Sequence, residues 1–243
     1  RDVEVIYQAE YEVDPVDGTA DESNGRSFKQ RDTFVGIKGS LGTLFIGTHD
    51  TAFKESQDKI DLFDDLTSDI KNILEGENRL SELVGFTTPV FGKNFSATFN
   101  VIKEKEGLDD ASSFSLKYRT SNIYAALALD SKVKGYDSYR VSFQIPFNKA
   151  QLGLMFQTSK EVITGDKEEG YVVSLSRKIV NKGKIKLQLA ESDIKLVSGK
   201  QTTFGYDLEL SKKAKIFIFY TDLSNPKVEK EENITAVGFE LKF

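Results

Sequence analysis

The chain has 243 residues, 39% of them apolar and 29% charged, a length that strands alone can carry as one domain. No apolar run approaches the about 20 residues that a spanning helix needs, which excludes a helical membrane protein but not a membrane barrel. Zero cysteines exclude disulfide scaffolds and thiolate chemistry, and a single histidine excludes any site built on two. A net charge of -5 speaks against a nucleic-acid partner, whose phosphates need a basic surface.

The first element, 3–13, sets Val3, Val5, Tyr7, Ala9, Tyr11 and Val13 against Glu4, Gln8, Glu10 and Glu12, with Ile6 alone breaking the order. A period of two is the mark of a strand with one apolar and one polar face. The same period recurs at 31–38 and 42–48, then beyond a long link at 82–88, 95–101 and 113–119. It continues at 122–130, 139–145, 150–158, 170–179, 185–189, 203–210, 215–221 and 234–243, giving fourteen predicted strands. The last runs to an aromatic terminus, Phe243.

The connections are expected to alternate in length. Short turns fall at 39–42, 89–94, 120–121, 146–149, 181–184 and 211–213; longer links fall at 14–29, 49–80, 104–111, 131–138, 159–169, 191–201 and 222–233. Alternating segments of about 10 residues with short turns at one end and longer loops at the other suit a membrane barrel. A soluble or surface-exposed β-sandwich binding a ligand would show the same alternation, with its dry faces packed together. Uniform strand length, the short and long links and the terminal aromatic favour the barrel.

The link 49–80 stands apart. Ile60, Phe63, Leu66, Ile70, Ile73 and Leu74 recur at helical spacing, and Gly76 follows as a stop signal, so an amphipathic helix is predicted there. The opposite face is acidic, with Glu55, Asp58, Asp61, Asp64, Asp65, Asp69, Glu75 and Glu77. In isolation this reads as a solvated surface helix. In a barrel the apolar stripe would fold against the wall and place carboxylates in the lumen, facing Arg31 and Arg79 across a pore.

Enzyme chemistry has little to rest on. His49 beside Asp50 lacks any nucleophile motif and is expected to be structural or pore-lining. Gly36, Gly39 and Gly42 sit at a strand turn with no helix to follow, and Asn233-Ile234-Thr235 carries no evident role. No cofactor is expected, and the loop acids lack the spacing of a dedicated calcium loop.

The run from Arg31 through Val35-Gly36-Ile37, the Gly39 and Gly42 turn, Gly42-Thr43-Leu44 and Asp50-Thr51-Ala52-Phe53 to Lys54 resembles two strands and the start of the constriction loop of Gram-negative general porins. Arg79 to Pro89 is similar to that loop's exit, Leu210-Ser211-Lys212-Lys213 to a hairpin of the family, and Val237-Gly238-Phe239-Glu240-Leu241-Lys242-Phe243 to its ending. The resemblance implies an all-β, transmembrane antiparallel β-barrel of the 16-stranded type in which 14 strands are visible, a single domain over 1–243. Residues 49–80 would be an inward-folded, partly helical constriction loop. On this alignment the family's first hairpin, with the signal peptide, is expected to be missing. The resemblance further implies a homotrimer in the outer-membrane lipid of a Gram-negative bacterium, passing ions and small hydrophilic solutes by diffusion. Asp61, Asp64 and Asp65, with Asp58, are the expected constriction acids, Arg31 and Arg79 the opposing bases, and Lys38 a weaker candidate beside a short turn. Thr48 and Gly85 stand where the family often has arginine, which points to a preference for cations.

Overall fold

The computed structural model describes residues 3–13, 28–103, 110–180, 182–193, 199–225 and 230–242. They form one antiparallel sheet of fourteen strands arranged in chain order. The strands before the long link are β1 (Glu4–Glu12), β2 (Lys29–Gly39) and β3 (Gly42–Asp50). After it come β4 (Arg79–Thr87), β5 (Phe95–Ile102), β6 (Ala111–Arg119), β7 (Tyr124–Val133) and β8 (Tyr136–Phe147). The meander ends with β9 (Ala150–Glu161), β10 (Lys167–Lys178), β11 (Gly183–Ser192), β12 (Lys200–Glu209), β13 (Ala214–Asn225) and β14 (Lys230–Leu241). All fourteen predicted segments are strands. The terminal Phe243 lies outside the described residues.

The predicted alternation of link lengths is weaker than expected. The link 131–138 closes as a tight turn between Val133 and Tyr136, with Lys134 and Gly135 at φ 54° and 85°. The 159–169 link shrinks because β9 and β10 keep pairing outward, through Glu168 with Ser159 and Lys167 with Lys160. Here the ladder outlasts the apolar pattern. Where both faces meet water, nothing demands alternation, yet the backbone pairs all the same.

Which face is wet decides the architecture. The apolar positions of the alternation are exposed: Tyr7 at 82%, Val237 at 70%, Tyr139 at 62% and Phe204 at 52%, with Val141, Phe156, Leu189 and Ile218 alongside. The polar positions are buried, among them Asn100, Ser113, Ser142, Gln157, Gln188, Thr203 and Thr221. A sandwich would do the reverse. An apolar surface running over consecutive strands far exceeds the few hundred Å² that soluble monomers tolerate, so lipid is its solvent and the sandwich reading is set aside. Hydroxyl pairs between neighbouring strands, Ser138 with Ser159 at 2.7 Å and Thr203 with Thr221 at 2.6 Å, satisfy part of the inner face.

Candidate functional site

The link between β3 and β4 leaves the strand ends and folds across the inner face, packing on the wall from β5 to β13. Its secondary structure departs from the predicted helix. Only Ala52–Glu55, labelled α1, and a single 3-10 turn at Ile70–Asn72 are helical. Thr51 caps α1 by accepting the Lys54 N–H. Beyond it Asp58 and Asp65 adopt left-handed backbone, φ 49° and 64°, which ends any helix. Aspartate side chains also take backbone donors that a helix would use: Asp61 accepts from the N–H of Phe63 at 2.8 Å, and Asp69 from that of Lys71 at 2.7 Å. Gly76 takes φ 88°, as a stop should, and a Cβ there would collide with the Phe53 ring at 2.4 Å.

The apolar stripe is nonetheless buried, because the wall supplies sockets rather than a helix partner. Ile60, Ile70, Ile73 and Leu74 form a dry cluster with Met155, Val172 and Ala190, three small or flexible inward residues of β9, β10 and β11. Phe63 packs against Phe219 with ring centroids 5.8 Å apart and lies over Gly205, where a Cβ would come within 2.7 Å of the ring. Leu66 alone of the six is only half-buried.

Polar staples hold the backbone of the loop. Asn100 and Ser113 accept from the N–H groups of Ala52 and Phe53, and Tyr124 donates its hydroxyl to the Ser56 carbonyl. Gln144, Gln157 and Gln201 donate to the carbonyls of Lys59, Glu75 and Ser68. Lys186 does three things at once: it donates to the Leu62 carbonyl, sits 4.5 Å above the Phe63 ring and pairs with Asp207 at 2.8 Å. Arg140 is the deepest anchor. Its guanidinium bonds Glu77 at 2.6 Å, takes Gln157 as a second acceptor, and lies 4.3 Å over the Phe53 ring.

The expected constriction residues do not form one ring. Asp61 is buried, 5% exposed, and does not face the lumen: the N–H of Phe63, the N–H of Ile70 and the Gln188 amide all donate to it. Burial, reinforced by nearby Asp69, pushes its carboxyl up to about 8. Asp61, Asp64 and Asp69 each bring an oxygen within 4.8 Å of the others. Those of Asp61 and Asp69 are occupied by donors, the Asp65 N–H included. Asp64 and Asp65 stay exposed at the loop edge.

Arg31 does not stand across a gap from the acids. It contacts Asp65 directly at 2.5 Å while also bonding Glu10 of β1 at 2.7 Å, tying the loop edge to the opposite wall. Burial works against Asp65 ionising, yet the Arg31 bond outweighs it and holds the carboxyl below its ordinary value. Arg79 is used within the wall, by Asp32 at 2.8 Å and Asp50 at 3.0 Å, rather than by loop acids. Asp58 pairs with Arg119 through both oxygens, at 2.7 and 3.2 Å, and Glu55 pairs with Lys117 at 2.8 Å. Lys38 is exposed beside its turn, away from these contacts. His49 is structural: its Nδ1 donates to the Asp50 carbonyl at 2.7 Å and its ring packs on Phe34 and Phe45.

Arg140, Gln157, Gln188, Gln201 and Lys186 were not singled out from sequence. All lie on the polar face of their strands, and glutamine recurring there is the available signal, since a long amide on a wet strand face needs a backbone partner.

A model of the Gram-negative porin matches residues 2–227. Among solved structures, an anion-selective porin from Comamonas acidovorans is similar with a TM-score of 0.82 at 22% identity, covering 99% of this chain and 85% of that one. OmpF of Salmonella typhi, in complex with daunomycin, has a TM-score of 0.75 at 12% identity, covering 98% and 85%. A triple mutant of the Rhodopseudomonas blastica porin gives 0.67 at 12% identity, covering 99% and 90%. No curated protein sequence matches the chain. With an exposed apolar face, a polar inner face and a loop folded across it, the chain belongs to the Gram-negative porin family, an outer-membrane β-barrel rather than an enzyme.

Proposed function

We propose that this channel passes ions and small hydrophilic solutes by passive diffusion, with its narrowest part set by the edge of the 49–80 loop. The inversion of the strand faces carries the reading: a polar inner wall, partly covered by a loop that is itself stapled down, is what an aqueous passage needs. Asp64 and the Asp65–Arg31 pair on the loop edge would be the charges a passing solute meets first, with Asp58 and Arg119 a paired neighbour. Arg79 and Lys38 would act at a distance, and Asp61 as the fastener that holds the loop's shape. A homotrimer is the assembly proposed from the family.

The cation preference expected from the acidic loop is weakened on two grounds. Most loop acids are neutralised by paired bases or by backbone donors, and one structural neighbour is described as anion-selective. We therefore propose a modest charge preference set by the few unpaired groups. The test is single-channel recording in planar bilayers with a salt gradient. Stepwise conductance with a small reversal potential is expected; no conductance would overturn the reading.

A further inference from the structure

Beneath the loop, at the short-turn ends of β6 to β11, lies a cavity of about 440 Å³ whose lining is dominated by positive charge. Lys59 enters it from the loop, Arg119 from the end of β6, Lys149 from the β8–β9 turn, Lys178 from the end of β10 and Lys184 from the start of β11. Asp58 is the one acid of this lining, and Arg119 holds both its oxygens. None of the four lysines makes a salt bridge among the described residues. The neutral lining, including Gln144 and Gln151, is rich in hydrogen-bond donors.

The strand register crowds positive charge here and supplies a single acid, shared between two lysines, to offset it. Lys178 and Lys184 are direct cross-strand partners, and like charges directly opposite destabilise a sheet. Lys184 also lies near the positive charges of Lys186, Lys59 and Lys215; its partner across the other ladder, Asp207, relieves part of this but is shared with Lys186. The loop side is fixed too, because Gln144 holds the Lys59 carbonyl at 3.1 Å. Four ammonium groups around a recess of this size match a small solute bearing two or more negative charges, since compact lysine charges suit oxyanions without demanding a bidentate partner.

Resting on the channel reading, we propose that this recess is a docking site for small multivalent oxyanions, phosphorylated or polycarboxylate, on the inner side of the constriction. A solute held there would be concentrated at the narrow part of its path, and a strongly held one would interrupt the ion current.

The test is single-channel recording of the reconstituted protein with pyrophosphate in one arm and citrate in another, against potassium chloride alone. Current interruptions by pyrophosphate, citrate or both are expected, and their pattern tells phosphate from carboxylate recognition. The K178Q/K184Q variant should weaken the block about tenfold, the scale of losing two of four close charges, while K178R/K184R should retain it. If the double glutamine variant fails to insert, K149Q in the exposed turn serves instead and should weaken the block by about half of that on a logarithmic scale, one charge lost rather than two. Block equal in parent and glutamine variants, or no block by either anion in a conducting channel, overturns the site. Absence of any conductance overturns the channel reading instead.

Discussion

Arg140 and Arg31 both grip the loop, and their settings differ more than their chemistry. Arg140 meets Glu77 at 2.6 Å with both side chains at or below 2% exposure, stacked on Phe53 and backed by Gln157. Arg31 meets Asp65 at 2.5 Å in a setting where the Asp65 side chain is 42% exposed and Glu10 and Glu12 share the guanidinium. Removing one partner of a buried pair strands a charge in a poor solvent, whereas an exposed pair is screened and contributes little. The first pair therefore determines whether the loop is seated, and the second determines what a passing solute meets.

That contrast orders the expected effects. Glu77→Ala should be the most damaging change, about 3–5 kcal/mol because Arg140 is left buried and unpaired, read as a fall in the temperature of heat-modifiable gel mobility and as noisy conductance. Leu74→Ala empties part of the dry cluster and should cost about 2–3 kcal/mol by the same assay, the low end for leucine because a loop can relax into the space. If Leu74→Ala matched Glu77→Ala, the special weight given to the buried pair would be wrong.

A pH effect comes next. The Asp61 carboxyl is raised from 3.8 to about 8 by burial and by Asp69, so the folded loop binds a proton that the unfolded chain releases. Its contribution is full below 3.8 and is lost as pH rises through about 8. Protease cleavage within 56–72 should accelerate from pH 6 to about 9 in the parent, and Asp61→Asn should flatten that dependence; an unaltered pH profile in the variant would refute the assignment. Smallest in stability is Asp65→Asn, below about 1 kcal/mol. Its signature should be electrical, a shift of reversal potential towards anions with the heat-modifiable transition unmoved. A large loss of stability there would erase the distinction between anchor and edge.

The sheet was legible because alternation is written residue by residue. Val3, Val5 and Tyr7 or Ile216 and Ile218 declare a face without reference to anything distant. What alternation could not say was which face is wet, since a sandwich and a lipid-facing wall share it; exposure of Tyr139 and Phe204 resolved that. The loop was legible in composition and not in conformation. Its stripe at 60, 63, 70, 73 and 74 is buried as expected, but helical spacing was incidental: each side chain answers to a separate socket, and Asp61 and Asp69 divert the backbone bonds. Pairing was least legible of all. Nothing local to Glu77 announces Arg140, and nothing near Asp58 announces Arg119.

The staples of the loop also set an order of events. Leu62 bonds Gln188 and Lys186, and Ser68 bonds Gln201, across sequence separations of 126, 124 and 133 residues. Contacts between residues so far apart must await closure of the intervening chain, which slows folding. The two ends of the loop are held by β5 to β9, but its middle, Leu62 to Ser68, has no seat until β11 and β12 are in place. The final set of the narrowing is therefore a late step, since the part of the loop that reaches furthest across the wall is fixed last.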